Sequence, residues 1–243
     1  MKKLLLFGGN MSLIIKNLHK SFQDINLFQD FDIDINENTI SCILGPSGCG
    51  KTTLLNMISN STQVDSGKFI GFDNKIISYI FQEPRLLPWK TAKENIAFVL
   101  QNGLSKDAIE DITNKYIRLV ELEGFSNYYP SKLSGGMKQR VAIARAFSYP
   151  SDLILMDEPL KALDLKLKLN LMKSFRKLWQ TDKRTVIFVT HDIDEAMLLG
   201  NDIYVFSKAP VKIKEQFSIT TKDRSLNNPE IIDLKKKIWE VME

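Results

Sequence analysis

The sequence predicts an α/β fold: a mostly parallel sheet covered on both faces, interrupted by a helix-rich insertion. Three observations predict it. Short apolar runs alternate with longer segments of helical spacing, which is how parallel strands and their crossover helices read. A glycine-rich stretch, Gly45 to Thr52, sits between one such run and one such helix. Residues 82–150 carry helical patterns one after another.

The elements follow in order. Ile33-Asp34-Ile35 alternates like a half-buried strand. Ile40 to Leu44 is a short apolar run, and Leu54 to Ile58 continues as a helix. Ser66 to Phe81 reads as short strands with turns, expected to form part of a small antiparallel β lobe. Thr91 with Glu94 makes a capping box ahead of Ile96, Phe98 and Leu100. Ala108 to Leu122 has apolar residues at 109, 112, 116, 119 and 120, a helical spacing, with Gly124 expected to close it. Ser134 to Tyr149 is a third helix, stopped before Pro150. Leu153 to Met156 is a buried-type strand. An amphipathic helix follows, with Leu165, Met172, Phe175 and Trp179 expected inward. Next come strand Thr185 to Thr190, a short helix, strand Ile203 to Phe206 and a strand from Val211 to Phe217. Asn228-Pro229 opens a last helix in N-cap and N1 chemistry.

One domain is expected over 12–243, with a core at about 12–81 and 151–243 and a helical subdomain at about 82–150. Residues 1–11 are expected to form an N-terminal extension without fixed structure. MKKLLLFGG imitates a signal-peptide start, but its apolar part is short and no A-x-A-like site follows, so Met11 is an alternative start.

Composition is that of an ordinary globular protein, 44% apolar and 26% charged. The net charge of +4 comes from Lys and Arg spread along the chain, which does not argue for a nucleic-acid partner. Cys42 and Cys49 do not suggest a disulfide frame, so a reducing compartment is expected. No apolar run approaches the ~20 residues of a membrane span, so any membrane role is expected to be peripheral.

Gly45, Pro46, Ser47, Gly48, Cys49, Gly50, Lys51 and Thr52, with Thr53 behind them, satisfy the G-x-x-x-x-G-K-[ST] pattern between a strand and a helix. Glycines let backbone N–H groups turn inward around an anion, and the helix N-terminus adds partial positive charge. Lys51 is expected to reach the β- and γ-phosphates and the Thr52 hydroxyl to ligate Mg²⁺. Asp157 and Glu158 end the buried strand at 153–156, at the ligand edge of a parallel sheet. One carboxylate can hold Mg²⁺ and the next can polarise an attacking water. His191 ends another apolar strand at the same edge, where it can donate a hydrogen bond to the γ-phosphate. These pieces describe a Mg²⁺-dependent nucleoside triphosphatase of the P-loop class.

Leu133-Ser134-Gly135-Gly136-Met137-Lys138-Gln139-Arg140 narrows the reading. It is a Ser N-cap followed by two glycines, a second anion-binding helix terminus. This octapeptide resembles the signature of ABC transporter ATPases, and the resemblance covers nearly the whole chain. It implies a RecA-like core and a head-to-tail pair of subunits. Each ATP would lie between the 45–52 loop of one and Ser134, Gly135 and Gly136 of the other. By the same resemblance Gln82 touches Mg²⁺ and the attacking water, Asp157 is the Mg²⁺-associated carboxylate, Glu158 the general base and His191 the γ-phosphate switch. Lys161-Ala162-Leu163-Asp164 is similar to the loop that crosses the dimer seam, and Phe22 aligns with the aromatic that stacks on adenine. Two departures stand out: Lys161 replaces a residue that is usually small, and 67–81 is shorter than usual.

Phe81-Gln-Glu-Pro-Arg-Leu-Leu-Pro-Trp89 and Met137 resemble the ATPases of nitrate, sulfonate, taurine and thiamine-precursor importers. The resemblance implies a homodimer on ATP binding, two membrane permease subunits, an external solute-binding protein reached indirectly, and a peripheral position on the cytoplasmic face of the membrane. Pro84 and Pro88 would fix the loop, lowering the ordering cost of docking, and Leu86, Leu87 and Trp89 would supply apolar contact. The alternatives are a soluble ABC ATPase working on ribosomes or DNA, and a plain P-loop nucleotide-binding module. The first usually has two cassettes or a long coiled-coil insertion. The second leaves the Ser134 helix unexplained.

Overall fold

The computed structural model describes residues 12–100, 103–161 and 163–243. The extension expected at 1–11 and Ala162 lie outside them. The chain opens with β1 (Ser12–Phe22), β2 (Ile25–Asn36) and β3 (Ile40–Leu44) and then α1 (Lys51–Ile58). β4 (Ser66–Ile70) and β5 (Ile77–Ile80) follow, then α2 (Ala92–Ala97), α3 (Lys106–Leu119) and α4 (Gly135–Ser148). The second half runs β6 (Leu153–Asp157), α5 (Leu165–Thr181), β7 (Thr185–Thr190), α6 (Ile193–Leu199), β8 (Asp202–Phe206), β9 (Ile213–Ser218) and α7 (Pro229–Met242).

Two sheets form. A six-stranded sheet has the order β5-β6-β7-β3-β8-β9, parallel except for β9. A three-stranded antiparallel sheet has the order β2-β1-β4. The short strands expected within 66–81 therefore part company: β4 joins the small sheet and β5 edges the parallel one.

The central strands are apolar on both sides because both faces are covered. Ile154, Met156, Val186 and Phe188 pack with Phe147 of α4, Phe175 of α5 and Met197 of α6. Leu153, Leu155, Ile187 and Val189 pack with Leu54 and Leu55 of α1 and with Leu13, Ile15 and Phe28 of the small sheet. Burying each such side chain contributes about 1.5–3 kcal/mol.

The capping chemistry at 91–94 forms as expected: Glu94 N–H donates to Thr91 Oγ1 at 3.2 Å, and Thr91 N–H donates to Glu94 Oε2 at 2.7 Å. Two expectations are corrected. α3 is closed by Glu121, not Gly124. Glu121 takes φ 57°, its N–H donates to Arg118 O and the Leu122 N–H to Ile117 O, which satisfies the last carbonyls and leaves Gly124 no capping role. Leu165 is 72% exposed, because it opens α5 beyond the edge of the core, whereas Met172, Phe175 and Trp179 are buried as expected. Among the described residues no helix is long and apolar enough to cross a membrane.

Candidate functional site

Strand order assembles the site. β5, β6, β7 and β3 are successive neighbours, and their ends are level: Ile80 pairs with Met156, Asp157 with Val189 and Leu44 with Thr190. The segments leaving those ends carry Gln82, Glu158, His191 and the 45–52 loop, so four distant stretches of sequence meet at one edge.

The glycine-rich loop wraps a cavity of about 270 Å³ lined by Ser47, Gly48, Gly50, Lys51, Thr52, Thr53, Gln82, Glu158 and Lys161. Gly48 and Gly50 take φ 77° and 100°, values that L residues with a Cβ rarely adopt. Gly45 is needed for a different reason: a Cβ there would meet Cys49 Sγ at 3.0 Å and Phe206 Cβ at 3.1 Å. Cys49 turns its side chain into the core and serves the loop through its backbone; burial pushes its thiol up. Lys51 is 4% exposed, and its Nζ donates to the Gly45 and Pro46 carbonyls at 2.8 and 2.9 Å, which holds the ammonium inside the cradle.

Thr52 Oγ1 donates to Asp157 Oδ1 at 2.9 Å. Burial pushes the Asp157 carboxyl up, and the hydrogen bond from Thr52 works against that shift. A hydroxyl and a carboxylate oxygen in contact beside the glycine-lined cradle suit a hard cation such as Mg²⁺.

Glu158 takes φ 41°, unusual for a residue with a long side chain and of the order of 1–3 kcal/mol in cost. Its N–H donates to Val189 O at 3.1 Å, so β7 holds it there. Lys161 Nζ lies 2.8 Å from its Oε2, His191 Nδ1 lies 3.3 Å from the same oxygen, and Lys51 Nζ lies 3.9 Å from Oε1. Burial pushes this carboxyl up, but the contact with Lys161 and the positive charge around it win, and it sits below the ordinary range.

Other expected residues lie apart. Phe22 sits at the end of β1, 46% exposed, with Lys20 Nζ 4.9 Å from its ring. It does not line the cradle. Ser134 caps α4, accepting from the Met137 N–H at 3.3 Å, and Asp164 caps α5, accepting from the Leu167 N–H at 3.0 Å. Neither lines the cradle, nor do Gly135 and Gly136. A Cβ on Gly136 would lie 2.7 Å from Leu167 Cγ, so that glycine lets α4 and α5 approach. A Cβ on Gly135 would meet nothing within 4 Å.

Three features were missed in the sequence. Tyr79 stands beside Asp157, and burial, then that carboxylate, raises its phenol. Lys168 of α5 pairs with Asp192 at 2.8 Å and with buried Glu195 at 2.6 Å, and Glu195 also accepts from Thr190 Oγ1 at 2.6 Å. That network brackets His191 on both sides in sequence. The third concerns the loop at 82–89. Asn95, fully buried, accepts from the Leu87 N–H at 2.8 Å and donates to the Leu87, Lys90 and Thr91 carbonyls. Arg145 donates to the Pro84 and Arg85 carbonyls, both at 3.1 Å. Leu86 is half-buried against the chain's own core, while Trp89 is 69% exposed.

A glycine-lined cradle, a buried lysine, a Thr–Asp pair and a Glu–His pair on one edge of a parallel sheet define a P-loop nucleotide-hydrolysing cassette. The family is more specific. The ABC transporter family model matches residues 28–161. An uncharacterized ABC transporter ATP-binding protein of Methanocaldococcus jannaschii is 37% identical over 96% of this chain and 91% of its own length. The aliphatic sulfonates import ATP-binding protein SsuB of Bacillus cereus is 35% identical over 95% of this chain and 94% of its own. A dimeric ATP-binding cassette solved in a post-hydrolysis state with ADP and Pi superposes with TM-score 0.71 at 30% identity, covering 86% of this chain and 99% of the other. The chain belongs to the ABC transporter ATP-binding family.

Proposed function

We propose that this chain is the ATP-hydrolysing subunit of an ABC importer for a small anion such as an aliphatic sulfonate, taurine or nitrate. The observation that carries this reading is the 35% identity, over nearly the full length, to a protein that serves aliphatic sulfonate import. The pinned loop at 82–89 with its exposed Trp89 supports it as a surface for a permease.

In this reading Lys51 and the loop N–H groups hold the β- and γ-phosphates. Thr52, Asp157 and Gln82 hold Mg²⁺, which neutralises phosphate charge. Glu158 accepts a proton from the attacking water, and His191 donates a hydrogen bond to the γ-phosphate. Phe22 stacks on adenine. Ser134, Gly135, Gly136 and Asp164 serve the nucleotide of a second copy, head to tail. Gly135 supports this, since a Cβ there would meet nothing within 4 Å among the described residues. Residues 82–150 act as the helical subdomain of a single 12–243 domain, docked on two permease subunits at the cytoplasmic face, with a solute-binding protein outside.

Two experiments test it. Tagged protein purified from native membranes in mild detergent is expected to bring a helical membrane permease, identified by mass spectrometry. Recovery only in the soluble fraction, or with ribosomes, would overturn the importer reading. Glu158→Gln is expected to bind ATP, dimerise and lose about 10²-fold or more in kcat. Full activity in that variant would remove Glu158 from the role of base.

A further inference from the structure

A cavity of about 400 Å³ opens between α5, α6 and the segment at 224–227, away from the cradle residues. Its size falls within the range of small-molecule pockets. Met172, Leu198 and Leu226 give it an apolar wall; Lys173, Arg176 and Arg224 also line it, and no acidic side chain does.

The two arginines are the unusual part. Arg224 is 9% exposed, and its terminal nitrogens donate to the Met197, Gly200 and Ile219 carbonyls. Its Nε is buried without a partner. Arg176 donates to the Leu198 carbonyl at 2.6 Å. Burial lowers both guanidiniums, and Arg176 adds to the shift on Arg224. The carbonyls at the end of α6 hold these groups in place but bring only partial negative charge. A buried guanidinium and a half-buried one beside an apolar space, with no carboxylate in its wall, lack a full negative charge opposite them.

We propose that this cavity binds a small aliphatic anion, with a sulfonate or carboxylate headgroup against Arg176 and the chain along Met172, Leu198 and Leu226. An inorganic anion lacks the chain for the apolar wall, and a neutral alcohol lacks the charge. The location gives binding a consequence. α6 begins two residues after His191, and α5 begins directly after Asp164, so an occupant braces the two helices behind both loops. The inference goes beyond the importer reading and does not rest on it.

The test is isothermal titration of the full chain, saturated with ADP so that the cradle is filled, with 1-hexanesulfonate, hexanol and inorganic sulfate. One hexanesulfonate per chain is expected, with neither control binding at the same concentrations. Arg176→Gln is expected to weaken binding about ten-fold, the loss of one charge-assisted hydrogen bond. Leu198→Trp, which fills the cavity, is expected to abolish it. Circular dichroism identifies a variant that fails to fold, and the other then decides. Absence of saturable binding, equal binding of hexanol, or hexanesulfonate binding unchanged in the folded variants would overturn the proposal.

Discussion

Lys161 Nζ and Glu158 Oε2 lie 2.8 Å apart, three residues along one loop. The other carboxylate oxygen stands 3.9 Å from Lys51 Nζ, inside the cradle. The two lysines thus divide the carboxylate: one oxygen is tied back, the other faces the cradle. Lys161→Ala is expected to lower kcat about ten-fold through misorientation of Glu158, the proposed base, with the KM for ATP unchanged. Lys161→Arg, which keeps a charged donor, is expected to stay within about three-fold. Phosphate release measured against ATP concentration separates the two parameters. An unchanged kcat in Lys161→Ala would show that Glu158 is oriented without it.

Lys168 has a different task. It pairs with Asp192 and with Glu195, which is 2% exposed. Burial pushes the Glu195 carboxyl up, against the pull of Lys168 and Thr190. A carboxyl raised on folding contributes stability that is full below its ordinary value near 4.5 and is lost as pH rises through the folded value. Without Lys168 the upward shift grows. Lys168→Met is therefore expected to cost about 3–5 kcal/mol near neutral pH and less at pH 5, where Glu195 can protonate. Urea denaturation at pH 5 and pH 8 checks the sign. An equal loss at both would mean that the lysine acts by packing alone.

Asn95 ties the end of the 82–89 loop to α2. One buried amide satisfies the N–H of Leu87 and the carbonyls of Leu87, Lys90 and Thr91. Asn95→Leu leaves the Leu87 N–H and the Lys90 carbonyl unpaired, while the Leu87 and Thr91 carbonyls keep bonds from the Lys90 and Asn95 backbone N–H groups. It is expected to destabilise the protein by about 2–4 kcal/mol, read as a lower denaturation midpoint. Trp89→Ala removes an exposed ring and is expected to leave both stability and basal ATPase unchanged while lowering permease-stimulated ATPase. A loss of ATP binding in Trp89→Ala would point to a role inside the cassette instead.

The cradle was legible in the sequence because its chemistry is made by backbone, and backbone chemistry fixes residue type at fixed spacing. Gly48 and Gly50 take φ values that strongly favour glycine. The meeting of Gln82, Glu158 and His191 was legible only as three strand ends. That β5, β6, β7 and β3 lie side by side is set by long-range pairing, which leaves no local mark. Helical periodicity placed Met172 and Phe175 inward correctly but says nothing about where a core stops, so Leu165 was misplaced. Asn95 and Lys168 escaped for a related reason. A polar residue on a helix reads as a solvated face until its partners are known, and theirs come from other segments.

The two glycines of the signature helix make the sharpest contrast. On Gly136 a Cβ would strike the Leu167 side chain in the first turn of α5; on Gly135 it would meet nothing within 4 Å. Gly136→Ala is thus a change within one chain. The Leu167 side chain must move aside, at about 1–3 kcal/mol. Gly135→Ala is a change the single chain does not register, apart from a small gain in helix propensity. Its melting temperature is expected to match or slightly exceed that of the parent. If a second copy brings its nucleotide against this helix, the added methyl stands in the way, and ATP-driven dimerisation of Gly135→Ala in a Glu158→Gln background is expected to fall about ten-fold or more. Light scattering with and without ATP reads this directly. A Gly135→Ala chain that dimerises as well as its parent would mean that Ser134-Gly135-Gly136 caps and packs a helix and does not meet the nucleotide.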